Sequence, residues 1–308
     1  ETGLILILCL LLGACKNGNA SSQNKSETSQ DTIKAIKMPA IPQMMTAPEQ
    51  RADFLAKHYW DNVNFADTNY IHHPEVTEQA WADYCDLLNH VPLETAQQAM
   101  RNVIDRTNVD KKVFTYITDL ADKYLYDPNS PMRNEEFYIP VLEAMIASPV
   151  LNETEKIRPQ ARLKLAQKNR IGTKALNFTY TLASGAQGSL YQLKAEYLLL
   201  FINNPGCQAC TETIEGLKNA PIINQLLQEK KLVLLSIYPD EELDEWKKHL
   251  SEFPNEWING YDKKFTIKEE QVYDLKAIPT LYLLDKDKTV LLKDATAPAI
   301  EAYLMQHQ

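Results

Sequence analysis

Cys207 and Cys210, separated only by Gln208 and Ala209, are the residues of this chain best suited to chemistry. On a helix, positions three apart share one face, so the two sulfurs can meet. If a helix begins at this motif, Cys207 sits where unpaired backbone N–H groups and the helix dipole favour a thiolate, the species that attacks. The pattern fits thiol–disulfide exchange, which runs between sulfurs and calls for no cofactor. Three other uses of the same spacing fit less well. Haem attachment requires His after the second Cys, and Thr211 follows instead. A structural zinc site requires four ligands. Cys85 is the only other Cys well inside the folded part, and no His lies near the motif in sequence. A purely structural disulfide would gain little from closing so short a loop.

The elements that must position the pair are legible around it. Residues 197–202 form an unbroken apolar run, a buried strand that delivers the chain to the motif. Residues 211–218 continue the helix, and Pro221 breaks or kinks it before a further helix over 222–229. Upstream, 177–182 reads as a strand followed by the turn-prone Ala183-Ser184-Gly185. Downstream, 232–238 is a second buried strand ended by Pro239, and 240–252 is an amphipathic helix. A short strand and turn follow at 257–260, then a helix over 267–273. Strands at 280–284 and 289–293 flank Asp285-Lys286-Asp287-Lys288 as a hairpin, and a helix over 298–306 closes the chain.

The order strand–CxxC–helix, strand, helix, Ala277-Ile278-Pro279-Thr280, hairpin and final helix resembles a thioredoxin fold. Pro279 lies 69 residues beyond Cys210, and Asn177-Phe178 precedes Gly185. Both features resemble the TlpA-like branch of extracytoplasmic thiol–disulfide oxidoreductases. The resemblance implies a central mixed β-sheet flanked by helices over 171–308. It implies a cis bond before Pro279, packed against the CxxC. It also implies a substrate-binding set of Gly206, Ile278, Pro279 and Thr280, in which the Ile278 backbone pairs with an extended substrate segment beside Cys207. Cys207 and Cys210 would be the catalytic pair. Two positions depart from the family pattern. Gly206 stands where many thioredoxins carry Trp. Phe201 stands where thioredoxin has a buried Asp that assists proton transfer to the resolving thiol, and Glu196 could replace it by folding back.

Residues 46–168 read differently. Thr46-Ala47-Pro48-Glu49 and Thr77-Glu78-Gln79-Ala80 look like helix starts, and further helices fit 94–107, 111–125, 135–147 and 153–168, with Pro159 kinking or delimiting the last. The expectation is an α+β two-domain chain whose first domain is an all-α bundle of about six helices. Its candidate functional residues each have a plainer reading. Arg133, in a turn rich in Pro, Asn and Ser, could bind a carboxylate or carbonyl, or could lock its own loop beside a local acid. His58-Tyr59-Trp60-Asp61 could line a pocket or fill the core. His72-His73 lacks nearby acids or Cys and is a poor metal pair. Cys85 fits a small buried hydrophobe, or a third exchanging thiol.

The chain opens with an apolar run over residues 4–12, too short to span a bilayer, followed by Leu12-Gly13-Ala14-Cys15. This resembles a bacterial lipobox, with residues 1–15 as signal and Cys15 as the lipidated residue. An ordinary signal peptide, or a tail with no export role, is the alternative. Lys16 gives no inner-membrane retention signal, which leans towards the outer membrane. Residues 16–45, polar at the start, would be a flexible tether. The whole chain resembles a recurring Gram-negative lipoprotein architecture of lipobox, helical domain of unknown function and TlpA-like domain. A net charge of −9 argues against nucleic acid as partner. The expected partners are thiol or disulfide-containing proteins, an upstream membrane electron donor or acceptor, and the membrane itself through the lipid. The function expected is a membrane-tethered thiol–disulfide oxidoreductase facing the periplasm, acting as a reductase. The alternative is a non-catalytic binding or assembly protein whose helical domain captures a partner beside a redox-inert pair. A combination, in which the helical domain selects substrates for the CxxC, stands between them.

Overall fold

The structure, a computed structural model, describes residues 35–307. The expected lipobox with Cys15, the apolar run and most of the tether lie outside these residues. The last part of the expected tether is docked. Ile36 packs against the helical core, and Asn62 donates to the Lys37 carbonyl at 2.9 Å.

The first domain holds six α-helices among the described residues: α1 Pro48–His58, α2 Pro74–Leu88, α3 Leu93–Arg106, α4 Lys111–Ala121, α5 Glu135–Ala147 and α6 Glu153–Ala166. Their caps follow local chemistry. Asp110, Asn134 and Asn152 each accept backbone N–H groups of the next turn, and Asn152 with Glu155 completes a reciprocal box. Two starts differ from expectation. α1 is capped by Ala47 without a side-chain bond, and α2 begins at Pro74 because Pro suits a first helical position; Thr77 instead donates to the Tyr70 carbonyl at 2.7 Å. Pro159 lies within α6 rather than ending it. The core is aromatic, with Trp60, Trp81 and Tyr84 in mutual contact, so Tyr59 and Trp60 belong to it while His58 and Asp61 pair on the surface at 2.7 Å. Cys85 is also inside this core.

The second domain is built on one seven-stranded sheet. Its strands are β1 Thr179–Leu182, β2 Gln187–Ser189, β3 Tyr197–Ile202, β4 Leu232–Tyr238, β5 Ile258–Tyr261, β6 Thr280–Asp285 and β7 Val290–Lys293, in spatial order β2-β1-β5-β4-β3-β6-β7. β3, β4 and β5 run parallel, and every other pairing is antiparallel. The expected mixed sheet is therefore present, as is the helical first domain. Alternation along the strands divides the core. Leu199 and Phe201 face a layer made with α7 Gln208–Lys218, α8 Pro221–Gln228 and α11 Ala297–Gln306. Leu198, Leu200 and Ile202 face the other layer, with Phe178, Tyr273 and Tyr282. α9 Leu243–His249 leads towards β5. The helix expected over 267–273 is a single turn, α10 Thr266–Glu269, because Gln271 turns to positive φ and interrupts it.

The domains meet through charge. Lys276 reaches Glu135 at 3.1 Å, Asp274 at 3.3 Å and Asp294 at 3.4 Å, and Lys293 bonds Glu135. Arg133 donates to the Asp294 carbonyl at 2.6 Å. Its partner is thus a carbonyl 161 residues away, not the local acid of the loop-lock reading. The chain between the domains is also held, with Lys168 donating to the Gln271 carbonyl at 2.6 Å and Asn169 to the Val272 carbonyl at 2.7 Å.

Candidate active site

The parallel strands β3 and β4 end at one edge of the sheet, where loops rather than ladder bonds present side chains. Asn203-Asn204-Pro205-Gly206 follows β3 and turns the chain into α7. Gly206, at φ +71°, takes a left-handed conformation that a side chain would resist. This accounts for Gly where Trp was the family expectation. Cys207 is the N-cap of α7, and its Sγ accepts from the Cys210 N–H at 3.3 Å. The sulfur therefore meets an otherwise unpaired N–H of the first helical turn. Cys207 is partly exposed, while Cys210 is buried directly behind it. Both thiols are free. Burial pushes the Cys210 thiol up to about 12, helped by its contact with Cys207, while the Asn204 backbone pulls the other way.

The Ile278–Pro279 peptide is cis, and the loop it shapes faces the pair, with Cys207 Sγ 3.7 Å from the Ile278 carbonyl. Ile278 and Pro279 are partly exposed, and Gly206 is exposed. Thr280 differs. As the first residue of β6 it pairs with Ile202, is buried, and turns its hydroxyl to the Ala277 carbonyl at 2.6 Å. Its side chain supports the loop and does not face a substrate, contrary to its place in the expected set.

Phe201 is fully buried beneath the motif and brings no carboxylate there. Glu196 does not replace it. It is exposed and precedes β3, whereas Cys207 follows the strand's other end, roughly 20 Å away at strand rise. The polar groups that the sequence reading missed are Asn203 and Asn204. Asn203 is buried and donates to the Phe201 carbonyl and to Ser236 Oγ at 2.8 Å, and Asn204 donates to Asp240 at 2.7 Å. The signal was the place itself: Asn204 and Asp240 both stand just beyond the ends of parallel strands.

The remaining candidates lie elsewhere. His73 does have an acid at hand, contrary to the reading of the His72-His73 pair, and bonds Glu75 at 3.1 Å. Cys85 lies deep in the helical core, and burial pushes its thiol up. Among the described residues no three His, Cys, Asp or Glu gather to hold a metal.

Comparison with known proteins agrees with this layout. Residues 195–290 match a family described as thioredoxin-like, and residues 14–169 match a domain of unknown function, DUF5106. A crystal structure of a thioredoxin-like protein from Bacteroides caccae is 84% identical, covers 90% of this chain and 100% of that one, and superposes with a TM-score of 0.88. The C-terminal domain of an uncharacterized protein from Bacteroides fragilis is 69% identical over 44% of this chain and 98% of that one, with a TM-score of 0.44. Comparison with curated proteins finds no match.

Proposed function

The chain belongs to the thioredoxin-like proteins that carry an N-terminal DUF5106 domain, and from that premise we propose that it is a thiol–disulfide oxidoreductase that reduces disulfides of other proteins. The observation that carries this reading is the division of labour in the pair: a partly exposed Cys207 sulfur on a helix N–H, beside the Ile278 carbonyl, with a buried Cys210 behind it.

The Cys207 thiolate attacks one sulfur of a substrate disulfide. The Cys207–substrate bond forms, the substrate S–S bond breaks, and the departing sulfur takes a proton. Cys210 then loses its proton and attacks Cys207 Sγ. The pair closes to a disulfide and the second substrate sulfur leaves as a thiol. Two electrons have passed from the pair to the substrate, and a dithiol donor at the membrane restores the enzyme. The Ile278 backbone holds the substrate strand during both steps. The lipobox-like Leu12-Gly13-Ala14-Cys15 supports a lipid anchor at Cys15, and with it a place in the cell envelope, facing the periplasm, at the outer membrane in preference to the inner. No helix among the described residues is long and apolar enough to cross a membrane.

Two variants test the proposal. Cys207→Ser is expected to reduce a model protein disulfide at background rate, and Cys210→Ala to accumulate partners linked to Cys207. A Cys207→Ser protein working at the parent rate refutes it.

A further inference from the structure

Between the two domains lies a cavity of about 470 Å³ that sulfur exchange by itself does not require. Tyr126 and Leu165 of the helical domain line it opposite Tyr273, Leu275 and Ile278. Ile278 also supplies the carbonyl that faces Cys207 Sγ, so one residue borders both the cavity and the sulfur pair. Tyr126, Leu165, Leu275 and Ile278 are all only partly covered, which leaves an apolar surface inside the cleft. An uncovered apolar surface at such a place favours an apolar occupant.

The cleft wall from the helical domain is packed against charged and aromatic neighbours. The Tyr126 ring packs against Tyr138, with the Arg162 guanidinium 4.1 Å and the Lys276 ammonium 5.1 Å from its centre. Lys276 is tied in turn to Glu135, Asp274 and Asp294, so the wall from the helical domain and the loop bearing Ile278 share one set of ion pairs. Beyond Asp240 and Lys268, which bond each other at 2.8 Å, the cavity adjoins a second trough lined by Asn204, Pro205, Glu241 and Glu242. Neither Glu241 nor Glu242 forms a salt bridge among the described residues, although Lys268, paired with Asp240, lies close enough to feel the charge of Glu241. The surface beside the sulfur pair is therefore apolar in one direction and acidic in the other.

We propose that the helical domain makes this cleft a specificity site for the segment that carries a substrate's disulfide cysteine. The occupant is an extended polypeptide stretch. On one side of its cysteine an apolar side chain enters between Leu165, Tyr126 and Ile278, and on the other a basic side chain lies over Glu241 and Glu242. The proposal rests on the thiol-exchange reading above and adds which substrates that chemistry accepts.

The test uses the full chain and a Gly-rich peptide whose single Cys is disulfide-linked to glutathione. Leu, Lys or Glu replaces Gly in turn at each of the two positions on either side of the Cys. The readout is kcat/KM for each peptide relative to the all-Gly peptide in the same protein, so any general change in thiol reactivity cancels. Leu on one side is expected to raise the value about tenfold, with Lys preferred over Glu on the other. In Leu165→Asp and in Tyr126→Ala the Leu preference is expected to fall to within about twofold of the all-Gly value. No Leu preference in the parent, or a preference retained in both variants, overturns the proposal. A parent protein that does not exchange even with oxidised glutathione refutes the thiol-exchange reading and this one with it, a result distinct from loss of peptide preference alone.

Discussion

The burial of Cys210 without a carboxylate beneath it predicts how the second step of exchange depends on pH. Burial is the largest cause that takes this thiol from an ordinary value of 9.0 up to about 12, and it persists once Cys207 is blocked by substrate. Blocking Cys207 removes its contact with Cys210, but a thiol held above 9.0 by burial still has less thiolate than an ordinary one between pH 6 and pH 9, and its thiolate fraction grows about tenfold with each pH unit there. Since only the thiolate attacks, the step that closes the pair is expected to accelerate about a thousandfold between pH 6 and pH 9. A buried acid at position 201 would relay the proton and flatten that rise, but Phe201 fills the position, and no carboxylate is among the groups that move the Cys210 thiol. The assay is stopped-flow mixing of reduced protein with excess aromatic disulfide whose leaving thiolate is coloured. The first release reports Cys207. The second reports Cys210 attacking the mixed disulfide and does not depend on reagent concentration. A second-phase rate that varies less than about threefold from pH 6 to pH 9 refutes the reasoning and places a proton acceptor beside Cys210.

Two further outcomes follow from the same geometry. Lys276→Ala leaves Glu135, Asp274 and Asp294 crowded in a largely buried space with one cation fewer, and is expected to lower the unfolding free energy by about 3 kcal/mol in urea titration; an unchanged midpoint would show that the domain interface contributes nothing. Gly206→Ala meets no atom within 4 Å, so its expected loss of about 1 kcal/mol comes from the φ of +71° alone, and a loss under a few tenths in the same titration would show that the loop relaxes freely.

Much of this was legible because it depends on local chemistry. Six helices in the first domain and the strand–CxxC–helix unit follow from apolar periodicity, helix caps and a turn before the motif, all set by residues a few positions apart. The misreadings occurred where a distant part of the chain decides. Gln187–Ser189 carries no apolar alternation and is a strand only because β1 lies beside it. The helix expected to run to Tyr273 stops at Glu269, and Lys168 and Asn169 take the carbonyls of Glu270, Gln271 and Val272 into bonds with the interdomain segment. Arg133 looked local because its neighbours are turn residues, while its partner lies in the other domain. At the candidate site, the meeting of Cys207, Cys210 and the Ile278–Pro279 loop was legible from spacing and from the family pattern they resemble. Thr280 could not be assigned a direction, since which way a strand's first side chain points depends on its pairing with Ile202. Asn204 and Asp240 stand next to each other only because β3 and β4 run parallel.

The interface ties these points together. Domains in one chain ordinarily shift against each other unless a large or well-matched surface holds them. Here Arg133, Lys276 and Lys293 meet Glu135, Asp274 and Asp294, with residues from both domains on each side of the charge balance. Apolar packing would hold such a surface at least as tightly, so the ion cluster contributes direction more than strength. Each ammonium and guanidinium has acceptors at fixed positions, and sliding one domain by a single residue would leave several charges buried without partners. Lys276 lies three residues before Pro279. The groups that orient the helical domain are therefore the groups that hold the loop facing Cys207. On the proposed function, a substrate that reaches the sulfur pair along that loop would meet a wall contributed by the other domain, which is the condition under which shape and charge can discriminate among disulfides that are chemically alike.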